Sequence, residues 1–324
     1  MKKRVVVWRI TQDCNMNCRF CSYSNEVERK RNDADVDEVR RLAEILGRHK
    51  KETGEELLIS WIGGEPFLWK PMLPLSANLS EQFGIAISAT TNGILLSAEY
   101  IREQIIRYFS EIVISLDGFE SCDDEVRKYS GHFKQVTENI RKLKQERDAA
   151  DSNLKIKVNT ILMRRNIEQF QPFCKYLSEL GVDELTFNQL GGYDRPEFYE
   201  DNRLRFQQVI DFLEQIPEWK KEFERNGLVI HGSYDYLQRI RMTAENQKNP
   251  IGECNPGTWF WFINENGYIS PCSYTSYEYM YNTGKIQTPE DVMKVEAYFR
   301  KLRKEKRSDW CSDCYCTQVY DKFA

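Results

Sequence analysis

Val5-Val6-Val7-Trp8-Arg9-Ile10 leads through Thr11-Gln12-Asp13 directly into Cys14-Asn15-Met16-Asn17-Cys18-Arg19-Phe20-Cys21. A β-branched run reads as a strand, so the three cysteines, spaced C-x3-C-x2-C, fall in the loop that follows it. Without a secretory signal, clustered cysteines hold metal more often than they form disulfides. Zinc wants four tetrahedral ligands, whereas only three are local here, and His49 and His132 stand at no matching spacing. Three thiolates suit a [4Fe-4S] cluster with one iron left open to bind something else.

Outward from this loop the chain alternates strand and helix as far as residue 190. Strands are expected at Val5 to Ile10, Leu57 to Ile62, Ile85 to Ser88, Ile112 to Leu116, Leu154 to Leu162 and Leu185 to Asn188. Helices are expected at Val36 to His49, Met72 to Gln82, Ala98 to Tyr108, Phe133 to Arg147 and Ile167 to Leu180. Strands separated by crossover helices imply a parallel sheet with helices on its outer face. After Gly191-Gly192 longer helices take over, Arg203 to Gln215 and Tyr236 to Gln247. From Asn249 onward the chain is rich in turn residues and holds five of the ten cysteines. The expected organisation is therefore 1–190, 191–248 and 249–324. The last part lacks the apolar content for its own core and would need a metal to organise it.

The composition fits a globular chain of about two domains: 324 residues, 41% hydrophobic and 30% charged. Its 46 basic and 50 acidic side chains leave a net charge of -4, which supplies no global field for nucleic acid or anionic lipid. Met1-Lys2-Lys3-Arg4 precedes too short an apolar run for a signal peptide, and no run approaches the ~20 residues of a membrane span. The expectation is a cytoplasmic protein with neither a nucleic-acid nor a membrane partner. Lys301 to Arg307 reads as a solvated helix face, Cys174 as a core thiol.

The cysteine loop, with Phe20 at its aromatic position, resembles that of the radical S-adenosylmethionine (SAM) superfamily. Further matches come in that family's order: Gly63-Gly64-Glu65-Pro66, Thr90-Thr91-Asn92-Gly93, Ser115-Leu116-Asp117-Gly118 and Val158-Asn159-Thr160. The resemblance implies a partial (β/α)6 barrel whose Cys14, Cys18 and Cys21 hold a [4Fe-4S] cluster that chelates SAM. Phe20, Gly63, Gly64, Glu65, Ser115, Asn159 and Arg164 are the cofactor-binding candidates. Physically, glycines at a strand end let backbone approach a ligand, strand-end polar groups line the rim where barrel enzymes build their sites, and Arg164 or Arg165 suits a carboxylate.

Near the C-terminus, Trp259 to Ser270 reads as a hairpin turning at Asn264 to Gly267, which brings Cys254 and Cys272 together. Cys311 and Cys314 supply two further thiolates. Four cysteines would also close a zinc site. The pattern C-x12-G-x4-C followed by C-x2-C resembles the auxiliary-cluster domains called SPASM and, in shortened form, twitch. On that resemblance the fold class is α/β, a partial barrel with a small cysteine-rich twitch-like domain, and the cofactors are SAM and two [4Fe-4S] clusters, one of them auxiliary. Cys316 is left over, as an alternative ligand, a hydrogen-atom donor to the substrate or an inert thiol.

The resemblance further implies that a 5′-deoxyadenosyl radical abstracts hydrogen from an unactivated C–H, with flavodoxin or ferredoxin as electron donor. Dehydrogenation or epimerisation of a small polar metabolite, such as an aminocyclitol or sugar, is the expected reaction. Modification of a ribosomally made peptide is the alternative, and a non-catalytic iron-sulfur protein a remote third. The chain begins directly with the first strand, with no preceding peptide-recognition segment, which favours the small metabolite.

Overall fold

The computed structural model describes residues 3–255 and 257–315. In chain order the main elements are β1 (Lys3–Thr11), α1 (Val36–Thr53), β2 (Glu56–Gly63), α2 (Met72–Phe83), β3 (Ala86–Thr91), α3 (Glu99–Tyr108), β4 (Glu111–Ser115), α4 (Glu120–Arg127), α5 (His132–Ala149), β5 (Lys155–Leu162), α6 (Phe170–Leu180) and β6 (Glu184–Gln189). Then come α7 (Pro196–Asn202), α8 (Phe206–Arg225), β7 (Val229–Ile230), α9 (Tyr234–Ala244), β8 (Phe260–Ile263), β9 (Tyr268–Ser270), β10 (Tyr281–Asn282) and α10 (Val292–Glu305).

One sheet runs in the order β10-β9-β8-β1-β2-β3-β4-β5-β6-β7. Strands β1 to β7 pair in parallel with their neighbours. Strand alternation divides the apolar side chains into two layers. Val6, Trp8 and Ile10 pack outward in the large core shared with the helices, while Val5 and Val7 join Leu58, Phe260 and Phe262 on the inner face. Each helix contributes an apolar stripe to the outer layer, as α1 does through Val39, Leu42, Ala43 and Leu46.

The C-terminal cysteine-rich region does not depend on metal alone. Strand β8 pairs in parallel with β1, and β8, β9 and β10 continue the sheet as a meander. Trp261, Ile263, Ile269, Val295 and Phe299 thereby enter the main core. The free edge of β1 supplies backbone partners, and burial of each large side chain contributes roughly 1.5–3 kcal/mol. The basic run is also partly inward: Arg303 is 9% exposed, so the solvated-face expectation holds only for its neighbours. Cys174 is buried in the core on α6.

Candidate active site

The cysteine loop is clamped from three sides. From the turn after β2, Gly64 donates to the Thr11 carbonyl (3.0 Å) and Glu65 to that of Asp13 (2.7 Å). No side chain fits there: a β-carbon on Gly63 would meet Thr11 O at 2.6 Å, and one on Gly64 would meet Asp13 O at 2.1 Å. From the segment after β3, Asn92 Nδ2 donates to Asn15 Oδ1 (2.7 Å). From α4, Val126 O accepts from Arg19 N (2.8 Å).

Glu65 is fully buried and acts as the fastener behind the loop. Its carboxylate accepts from Thr91 Oγ1 (2.9 Å) and from the backbone of Asn92 (2.8 Å) and Phe67 (3.2 Å). Burial pushes its pKa up to about 7, against the pull of these donors. Below Cys18 lies a buried charge network. Arg127 donates to Asp117 (2.7 Å) and Asp123 (3.0 Å), and stands 5.9 Å from the Phe20 ring centroid. Burial would lower the Arg127 pKa, but the two carboxylates outweigh it and hold the guanidinium charged. Asp117 accepts in turn from the Ile161 backbone (2.7 Å), and His132 joins Asp123 to the Asn92 carbonyl.

Cys14, Cys18 and Cys21 open onto one cavity inside the sheet. Phe20, Gly63, Gly64, Ser115 and Asn159 line the same cavity. Glu65 stands behind it, and Arg164 is not part of its lining: Arg164 donates to the Glu200 carbonyl of α7 (3.2 Å), while Arg165 pairs with Glu125. Burial raises all three thiol pKa values, Cys14 to about 11 and Cys18 to about 12, so a bound metal must displace their protons.

Cys254, Cys272, Cys311 and Cys314 line a second cavity with Tyr274, Tyr279, Arg303 and Trp310. The hairpin turns at Asn264 to Gly267 as the sequence indicates, with Gly267 at φ +74°. Cys311 and Cys314 are pinned against the segment before Cys254 through Ile251 N to Cys311 O (2.9 Å) and Cys314 N to Asn249 O (2.8 Å). Arg303 Nη1 donates to Cys254 Sγ at 3.1 Å. Among the described residues no three His, Cys, Asp or Glu side chains are grouped tightly enough for one ion, and a multi-iron cluster holds its thiolates farther apart than one zinc does. Cys316 lies outside the described residues.

A family model described as the radical SAM superfamily matches residues 8–177. The chain belongs to that superfamily. A second model, SPASM, an iron-sulfur cluster-binding domain, matches residues 254–315. The cofactors of this radical SAM protein are therefore SAM, a SAM-binding [4Fe-4S] cluster and auxiliary iron-sulfur. The three thiols over a glycine cradle fit the first cluster, and the four thiols of the second cavity fit an auxiliary one. Over 324 residues the chain is 22% identical to an AdoMet-dependent heme synthase of Nitratidesulfovibrio vulgaris, covering 96% of this chain and 84% of that protein. It is 27% identical to an S-adenosylmethionine-dependent nucleotide dehydratase of Fibrobacter sp. over 210 residues, covering 62% of this chain and 60% of the other. In fold it resembles Streptococcus suis SuiB bound to S-adenosylmethionine, with a TM-score of 0.70 and 17% identity over 97% of this chain and 72% of that one.

The sequence reading missed Arg9, Arg127 and Arg303. A lone arginine inside the run Val5 to Ile10 was the available signal for Arg9. Nothing comparable marks the other two, which lie in polar helical stretches.

Proposed function

We propose that this radical SAM enzyme oxidises a small polar metabolite by two electrons at an unactivated C–H. The observation that carries this reading is the pairing of two separate thiol-lined cavities with a polar barrel interior. Ser60, Ser115, Lys157, Asn159 and Thr186 share the wall of the first cavity with Val7, Ile62 and Val113. Such a wall offers donors and acceptors to a hydroxylated or charged molecule while its apolar members exclude water. Bound there, SAM and its cluster supply a 5′-deoxyadenosyl radical, and the auxiliary cluster supplies an acceptor for the substrate's remaining electron. The loop after β6 touches both sites: Tyr193 packs edge-to-face against Trp310 of the second (4.6 Å), and the charge of Asp194 reaches Cys21 of the first. The relatives named for heme synthesis and nucleotide dehydration support the small-molecule reading.

The test is to incubate anaerobically loaded enzyme, SAM and dithionite with the low-mass metabolite pool or the peptide pool of a cell extract. The expected outcome is 5′-deoxyadenosine release with the metabolite pool and a product two hydrogens lighter than its substrate. Release with the peptide pool alone, or a product that keeps the substrate's mass in H2O and becomes one unit heavier in D2O, would replace this reading by peptide modification or epimerisation.

A further inference from the structure

We infer that Arg9 is a substrate anchor for an anionic group, a carboxylate or a phosphate. This rests on the reading that substrate enters the barrel interior, and it adds what that substrate must carry. Val7 lines the first cavity, and Arg9, the next inner-face position of β1, stands just beyond that lining, its guanidinium carbon 5.3 Å from the ring centroid of Phe262, another inner-face residue. The residue is 8% exposed. Nε donates to Glu265 Oε2 at 2.6 Å, and Nη1 donates to the Tyr23 hydroxyl. Nη2 is buried with no hydrogen-bond partner among the described residues. A buried charged donor left unmatched is costly, and such groups are retained where a ligand completes them.

The surroundings hold this guanidinium in place and leave a positive excess. Glu265 is itself fixed by Gln12 and Asn266, and Tyr23 stays a neutral phenol because burial raises its pKa to about 12. Around Tyr23, the described residues place three guanidiniums with two carboxylates. Arg29 stands 4.8 Å from the Tyr23 ring centroid, and Arg31 donates to the Gln12, Tyr23 and Ser24 carbonyls. The carboxylates are Glu265 and Asp194, the latter within the field of Arg9 and Arg29. A guanidinium already held by two partners pays little ordering cost when it binds an oxyanion, and its planar fork suits carboxylate and phosphate alike.

The experiment measures anion binding by calorimetry to anaerobically reconstituted holoenzyme saturated with SAM, using sodium acetate and inorganic phosphate as separate probes. Wild type should bind at least one of them saturably, and the tighter probe identifies the group. Arg9→Gln should weaken that binding by about tenfold. Glu265→Gln, which removes the competing carboxylate, should strengthen it several-fold and decides the matter if Arg9→Gln loses its iron. Unchanged binding in an iron-replete Arg9→Gln variant, no strengthening in Glu265→Gln, or no saturable binding by wild type overturns the assignment. Because no turnover is read, these results are independent of whether the enzyme oxidises its substrate.

Discussion

Gly64 lies so close beneath the cysteine loop that a β-carbon on it would stand 2.1 Å from the Asp13 carbonyl oxygen. That oxygen is backbone and also accepts from Glu65 N, so neither partner can step aside cheaply. Gly64→Ala should therefore displace the loop and lower iron content by about four per chain. Gly191→Ala, where nothing lies within 4 Å, should retain the full complement. Equal iron in both variants would show that the loop does not need this contact.

Glu184 supports the polar floor of the barrel, where it accepts from Lys157 (2.8 Å) and His231 (2.9 Å). Burial would raise its pKa, but these two partners outweigh burial and bring it to about 2, from 4.5. A depressed carboxylate contributes stability above its unfolded pKa and loses it as pH falls through the folded one. Glu184→Gln should cost ~1–2 kcal/mol at neutral pH, after discounting for solvent screening. The deficit should close between pH 4.5 and 2. Urea midpoints of both proteins across that range provide the check, and a pH-independent deficit would assign the effect to packing instead.

The six expected strands were legible because their apolar residues either run continuously, as in Val5 to Ile10, or recur at every second position, as in Lys155–Leu162, whose other face lines the polar interior. Val5 to Ile10 became Lys3–Thr11, and Ile112 to Leu116 became Glu111–Ser115. Helix α4 escaped notice for the opposite reason. Its inward residues include Asp123 and Arg127, which are buried as partners, and hydrophobic periodicity is blind to paired charges. Arg303 was hidden likewise in a basic run. The cysteine spacings exposed both thiol groups, whereas the sheet continuity of β8 with β1 left no local signature, because it joins segments some 255 residues apart.

Independent loading of the two sites follows from their separate cavities. Replacing Cys14, Cys18 and Cys21 together by alanine should leave about four irons per chain and abolish dithionite-driven 5′-deoxyadenosine formation. Iron and sulfide analysis with product chromatography reads both quantities. Complete loss of iron would mean that the second site cannot form without the first.

The same triple variant isolates the auxiliary site for a test of Arg303. Burial pushes the Cys254 thiol up to about 12, and Arg303 pulls it back down by placing positive charge and a donor on the sulfur at 3.1 Å. A donor and a positive charge on a ligating thiolate stabilise the more reduced, more negative cluster, so their loss must make the potential more negative. A charge-assisted hydrogen bond contributes about 1.5–3 kcal/mol, which for one electron corresponds to a fall of roughly 60–130 mV. Arg303→Met should show this fall in an EPR-monitored redox titration, and Arg303→Lys, which keeps the charge, should recover part of it. An iron-replete methionine variant with the wild-type potential would reduce Arg303 to a strut that holds Gly252 and Glu253 through its other hydrogen bonds.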